Sequence, residues 1–211
     1  MHSSVENVFG IGAGGHARVV ISALQEARVH VAGVYDDDPT KLRSEVLRAP
    51  VLGTIRELSD AIDGHWVIAL GDNMTRRQIA ARFPSADWLT VIHPKAYIHE
   101  SASLGLGTVV FAGAVVQPGA RIGQHCIINT GATVDHDCVV GDFCHVGPGC
   151  NLGGGVTLAK GVFMGIGSVA IPCTSVGEWT IVGAGAAVVA DLPDRVVAVG
   201  VPAKVRRKLE I

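Results

Sequence analysis

Aromatic residues make up only 5% of this 211-residue chain, so its 48% hydrophobic content comes mainly from Val, Ile, Ala and Leu. That mixture suits a β-rich core of small stacked side chains. Charge is also scarce, at 17% with a net of −2, which excludes a basic face that binds nucleic acid by counterion release and leaves small molecules as the expected partners. No stretch approaches the ~18 unbroken apolar residues of a membrane span. Met1 to Glu6 lack the basic segment and long apolar core of a signal peptide, so a cytoplasmic location without membrane contact is expected. The five cysteines contain no C-x-x-C pair, which argues against a zinc knuckle.

What the chain does have is a strict period of six. From Ile92 the ladder runs Ile98, Leu104, Val110, Val116, Ile122, Ile128, Val134, Val140, Val146, Leu152, Leu158, Met164, Ala170, Val176, Val182 and Val188, every rung apolar. Neither an α-helix nor an alternating strand sustains that period, whereas a coil of short strands and fixed turns does. Glycines recur just after the rungs, at Gly105, Gly123, Gly141, Gly147, Gly153, Gly165, Gly177 and Gly183, where sharp bends are expected. Cys126, Cys138, Cys144 and Cys150 each stand two residues before a rung, an offset filled elsewhere by Ala102, Ala114, Ala120, Ala132, Ser168 and Thr174. The thiols there read as small hydrophobes. Such a stack needs covers at its ends, and the segment before the ladder can supply one.

That segment reads as strand–glycine turn–helix–strand: a strand from Val5 to Gly12, a helix from His16 to Ala27 and a strand from Val29 to Tyr35, ending in Asp36-Asp37-Asp38. A third strand, His65 to Leu70, leads through Gly71-Asp72-Asn73 into a helix over Met74 to Phe83. Gly10-x-Gly12-x-x-Gly15 fits a dinucleotide-type fingerprint, in which glycines admit a phosphate to a helix N-terminus. Glycines also make any tight strand–helix turn. Arg76 or Arg77 could meet phosphate, or could sit on a solvated helix face. About 90 residues are too few for a full dinucleotide-dependent dehydrogenase fold. The division expected is 1–90, an α/β Rossmann-like domain; 91–198, the β-solenoid; and 199–211, a C-terminal tail that leaves the ladder.

Between Asn129 and His145 the ladder carries chemistry. Val134 and Val140 point inward, which puts His136 and Asp137 at a corner, and His145, between inward Cys144 and Val146, points outward by alternation. A neutral imidazole, with an ordinary pKa near 6.5, accepts a proton close to working pH, and a neighbouring carboxylate holds its tautomer. His136 is the expected general base and Asp137 its partner. His125, His136 and His145 lack the H-x4-H spacing of the zinc hydratases built on such coils, so no metal is expected. Cys173 has no adjacent base in sequence, so direct transfer without an acyl-enzyme is expected.

Four features together, Gly14-Gly15-His16, the hexads, Asp135-His136-Asp137 with His145 nine residues on, and Gly200-Val201-Pro202-Ala203-Lys204, resemble one family over nearly the whole chain. It is the left-handed β-helix hexapeptide-repeat acetyltransferases, specifically those that N-acetylate nucleotide-linked amino sugars such as UDP-4-amino sugars or GDP-perosamine. Sialic-acid O-acetyltransferases are close relatives. The resemblance implies a left-handed parallel β-helix, a homotrimer with active sites between subunits, and acetyl-CoA as co-substrate. It implies acetyl transfer to the amino group of a nucleotide-linked amino-dideoxy sugar for surface-glycan synthesis, with sugar O-acetylation and a non-catalytic nucleotide-sugar-binding module as alternatives. In residues, it implies His136 and Asp137 as catalytic, His145, Gly154 and Lys204 at acetyl-CoA, and Gly12, Gly14, Gly15, His16, Asp36, Asp37, Gly71, Asn73 and Asn129 at the sugar substrate. Asp36 and Asp37 also fit plain strand-end turns, and Asn129 a turn. Members of the family commonly carry Glu where this chain has Asp137, which keeps the charge and shortens the reach.

Overall fold

The computed structural model describes residues 7–59 and 63–210 and divides into two compact units, Met1–Pro94 and Lys95–Ile211. The expectations for residues 1–6, including a strand start at Val5, lie outside the described residues.

In the first unit, β1 (Val8–Ile11), α1 (Gly15–Glu26), β2 (Val31–Tyr35), β3 (Glu45–Val46), β4 (Ala49–Gly53), β5 (His65–Ile68), α2 (Asn73–Arg82) and β6 (Asp87–Trp88) form one sheet and its helices. The strand order is β3-β4-β2-β1-β5-β6, parallel except for the β3–β4 hairpin. β2 starts two residues later than the sequence implied, because α1 closes through left-handed Arg28 and the Val29 amide bonds back to Leu24 O at 2.9 Å. The sequence reading missed β3–β4 altogether. Its two-residue turn, Leu47-Arg48, has both φ values positive (48° and 71°), a turn type that usually announces itself with Asn-Gly or Asp-Gly. α1 buries Ala17, Val20, Ile21, Ala23 and Leu24, the spacing of one helical face.

The second unit is a parallel β-helix. Two-residue strands recur every six residues and pair with partners eighteen residues on, Val115 with Thr133 and Thr133 with Asn151, so three strands make one coil. Rungs from Val110 to Val188 are buried and form the core with the four cysteines. Each buried Val, Leu or Ile contributes about 1.5–3 kcal/mol, and burial pushes the Cys150 thiol up to about 11 and Cys138 upward too, which keeps both protonated. Ile92, counted as the first rung, is instead 41% exposed. A rung at the end of a stack is covered on one side only.

The glycine reading needs a correction as well. The glycines after the rungs do not have left-handed φ; a Cβ on Gly105 would lie 2.5–2.6 Å from the Gly123–Gln124 backbone of the next coil, so coil-to-coil approach demands them. The left-handed corner residues come two positions later, and several are not glycine: His125, Asp137, Phe143, Cys173 and Trp179. The His125 and Phe143 rings stack, with 5.2 Å between centroids and an interplanar angle of 9°, and Lys160 Nζ lies 5.5 Å from the Phe143 centroid. After the ladder, Val196–Val199 continues one sheet and Lys204–Lys208 folds back antiparallel on it. The tail expected to leave the ladder therefore ends it with a hairpin, and its Lys and Arg side chains charge the sheet's edge against further strand pairing.

Candidate functional site

β1 has β2 on one side and β5 on the other, so the order of connections reverses there, the point at which open α/β sheets take ligands in a crevice at the carboxyl ends of their strands. Gly12 must be glycine: its φ is +111°, and a Cβ would lie 2.7 Å from Leu70 Cδ2 and 2.9 Å from Ala69 O. Gly14 caps α1 with no side-chain bond and no acid follows in the first turn, which leaves the positive helix end for an anion. A Cβ on Gly14 or Gly15 would meet nothing within 4 Å.

The structure brings some of the residues expected at the substrate together: Asp36 bonds to Ala13 in the glycine turn, and Gly71 lies beside His16. A Cβ on Gly71 would sit 3.9 Å from His16 Cβ and Cγ. Arg76 donates to Gly71 O at 2.9 Å and to Asn73 Oδ1 at 2.9 Å. Arg76 is 1% exposed, which overturns the solvated-face alternative for it; Arg77 is the exposed one. Burial, and secondarily the Arg76 charge, lowers the His16 pKa to about 4, so this imidazole is neutral at working pH. Asp36 spends its carboxylate locally, accepting from Ala13 N at 2.7 Å, Asp38 N at 2.9 Å and Lys41 Nζ at 3.0 Å. Burial alone would raise its pKa, but these bonds together hold it below the usual carboxylate value. Asp37 accepts from Arg56 N at 3.2 Å.

On the β-helix, His136 and Asp137 stand at a corner as their register requires. His136 Nδ1 lies 2.9 Å from Asp137 Oδ2, and the His136 side chain is 61% exposed. The carboxylate therefore accepts a hydrogen bond from Nδ1–H and leaves the Nε2 lone pair as the basic site. A Cβ on Gly154 would run into the ring, Nε2 first, so this glycine keeps the basic nitrogen clear. Sequence reading gave no role to Asp135, whose Oδ1 accepts the His136 amide at 2.7 Å. The hydrogen bond that His136 donates to Asp137, then the nearby Asp135 charge, raises the His136 pKa above its ordinary value. Acids on both sides of the histidine were the signal in the sequence.

His145 and Asn129 form a second pair. His145 points off the strand as alternation required, yet it is only 8% exposed, and its Nε2 lies 2.9 Å from Asn129 Nδ2. The Phe163 ring meets it edge-on, 5.0 Å between centroids. Lys204 begins the exposed final strand. A groove of about 450 Å³ runs along one face past Gln117, Thr133, Asp135, Asn151 and Gly153. Among the described residues no group of three or more His, Cys, Asp or Glu could hold a metal, and no helix is long and apolar enough to cross a membrane.

Residues 7–83 match the family model described as PglD N-terminal domain. The UDP-N-acetylbacillosamine N-acetyltransferase of Bacillus subtilis is 41% identical over 116 residues, 51% of this chain and 52% of that protein. The chain spans about half or less of the length of the curated relatives it matches, 21% and 52% for two of them. PerB of Caulobacter crescentus, solved in complex with CoA and GDP-perosamine, is 40% identical with a TM-score of 0.87, over 96% of this chain and 98% of that one. The acetyltransferase domain of PglB from Neisseria gonorrhoeae, solved in complex with acetyl coenzyme A, is 35% identical with a TM-score of 0.87, over 95% and 99%.

Proposed function

The chain belongs to the β-helix acetyltransferase family that includes PerB and the PglB acetyltransferase domain, and from that premise we propose that it moves acetyl from acetyl-coenzyme A to the amino group of a nucleotide-linked amino-dideoxy sugar. The observation that carries the reading is the corner: a histidine with Nδ1 bonded to a carboxylate, and with its Nε2 lone pair over a residue that has no side chain.

The substrate amine attacks the thioester carbonyl while His136 Nε2 takes the amine's proton. Asp137 steadies the imidazolium that forms, the tetrahedral intermediate collapses, and the coenzyme thiolate leaves and takes up a proton. No acyl-enzyme is needed, since four of the five thiols are buried in the core. Binding energy aligns amine and thioester in a ternary complex.

In this reading the crevice of the first unit holds the nucleotide diphosphate at the start of α1, where Gly12, Gly14, Gly15 and His16 lie, with Asp36 and Asp37 on one side and Gly71 and Asn73 on the other. His145, Gly154 and Lys204 serve acetyl-CoA. The working form is a homotrimer in the cytoplasm that supplies a surface glycan; sedimentation equilibrium tests the trimer.

Thiol release with a panel of UDP- and GDP-linked amino sugars, set against sugars that offer only hydroxyls, tests the reaction. Release with the amino sugars alone is expected. Turnover restricted to hydroxyl acceptors would make the chain an O-acetyltransferase and overturn the N-transfer reading.

A further inference from the structure

We propose that Asn129 acts through His145, holding that imidazole as the neutral tautomer with its proton on Nδ1, so that His136 offers a lone pair and His145 an N–H. The kinetic half of this rests on the acetyl-transfer reading; the tautomer does not.

The argument follows donors and acceptors. The backbone N–H of Thr130 can only donate, and it lies 2.8 Å from one terminal atom of the Asn129 side chain, so that atom is the carbonyl oxygen. The other terminal atom is then the amide nitrogen, which can only donate, and it lies 2.9 Å from His145 Nε2. Nε2 must accept, and a neutral imidazole that accepts at Nε2 carries its proton at Nδ1. A doubly protonated His145 would set N–H against N–H₂ in a site that is almost closed to water, where an unmatched donor is costly.

The arrangement is held from two sides. Asn129 N bonds to Val146 O at 2.9 Å, which ties its backbone to the strand that carries His145. On the next coil Phe163, the ladder partner of His145, packs edge-on against the ring at an interplanar angle of 82°. His145 is therefore unsuited to shuttling a proton through Nε2, and the N–H it carries is on Nδ1. Asn129, read from the sequence as a contact to the acceptor, becomes a positioning residue.

Nitrogen-15 imidazole spectra of the full chain test this, with the His145 signals identified by their loss in His145→Gln. Expected at neutral pH are a protonated Nδ1 and an unprotonated Nε2. Asn129→Asp keeps the shape but offers Nε2 an acceptor. It is expected to move the proton to Nε2 and to lower kcat by about 10²-fold, the usual loss for one misplaced donor, while KM for the amino sugar stays near the parent value. A wild-type proton on Nε2, or an Asn129→Asp spectrum unchanged from the parent, overturns the proposal. So does a raised acceptor KM with unchanged kcat, which would make Asn129 a direct acceptor contact. Protonated Nδ1 in a chain that transfers no acetyl group would uphold the lock and sink the acetyl-transfer reading.

Discussion

His136 Nδ1 sits 2.9 Å from Asp137 Oδ2 on an exposed corner, with Asp137 itself in the left-handed region at φ 59°. Only the neutral imidazole can act as base, and its pKa is raised above 6.5, first by the bond to Asp137 and then by Asp135. Activity should therefore fall as pH drops through a value above 6.5. Asp137→Asn removes the largest of these influences, so the acid limb of kcat/KM should move to lower pH while the plateau falls. His136→Ala should lose at least about 10²-fold in kcat. An acid limb that stays in place in Asp137→Asn would show that another group titrates.

Gly154→Ala tests the space above that base. No left-handed φ is required there, so the chain should fold normally, but the new methyl displaces the His136 ring. A shift on the order of 1 Å can cost about 10²-fold. Steady-state kinetics should show the loss in kcat with unchanged melting temperature.

Asp36 closes the glycine turn by accepting from Ala13 N at 2.7 Å. Asp36→Ala gives up a charge-assisted bond of about 1.5–3 kcal/mol. If that energy orders the turn for the nucleotide, KM for the nucleotide sugar should rise roughly tenfold or more, with kcat at saturation little changed. Unchanged KM would confine the residue to local stability.

His16 gives a stability signature. Its folded pKa of about 4 lies below the ordinary 6.5, so between these values the unfolded chain binds a proton that the folded chain refuses. Stability is full above pH 6.5 and declines as pH falls toward 4, by about 3 kcal/mol in all. Melting curves of His16→Asn across that window should decline less steeply than those of the parent.

How much of this could be read from residues alone depends on how local the cause is. The ladder was legible because one rung every six residues leaves no other placement for Val134 and Val140, and that register fixed His136 and Asp137 at the corner. The hairpin at Leu47-Arg48 was not, because its left-handed residues are neither Gly nor Asn. The helical pattern left Arg76 open between phosphate contact and a solvated face, and only the fold brings the carbonyl of Gly71 and the side-chain oxygen of Asn73 to its guanidinium. Asn129 and His145 were both singled out, yet their hydrogen bond spans sixteen residues and depends on the pairing of adjacent coils. Register predicts which way a side chain points and says nothing of what covers it, which is why His145 is directed outward and still buried.

The eighteen-residue repeat of strand pairing has a consequence for how such a chain can change length. Removing eighteen residues beyond the site deletes one storey and restores every column above it, whereas removing one residue turns the following rungs out of the core. Insertions and deletions of whole storeys are thus the length changes that this geometry tolerates. A coil stack lengthened or shortened by a multiple of eighteen residues beyond the site keeps His136 at the same corner.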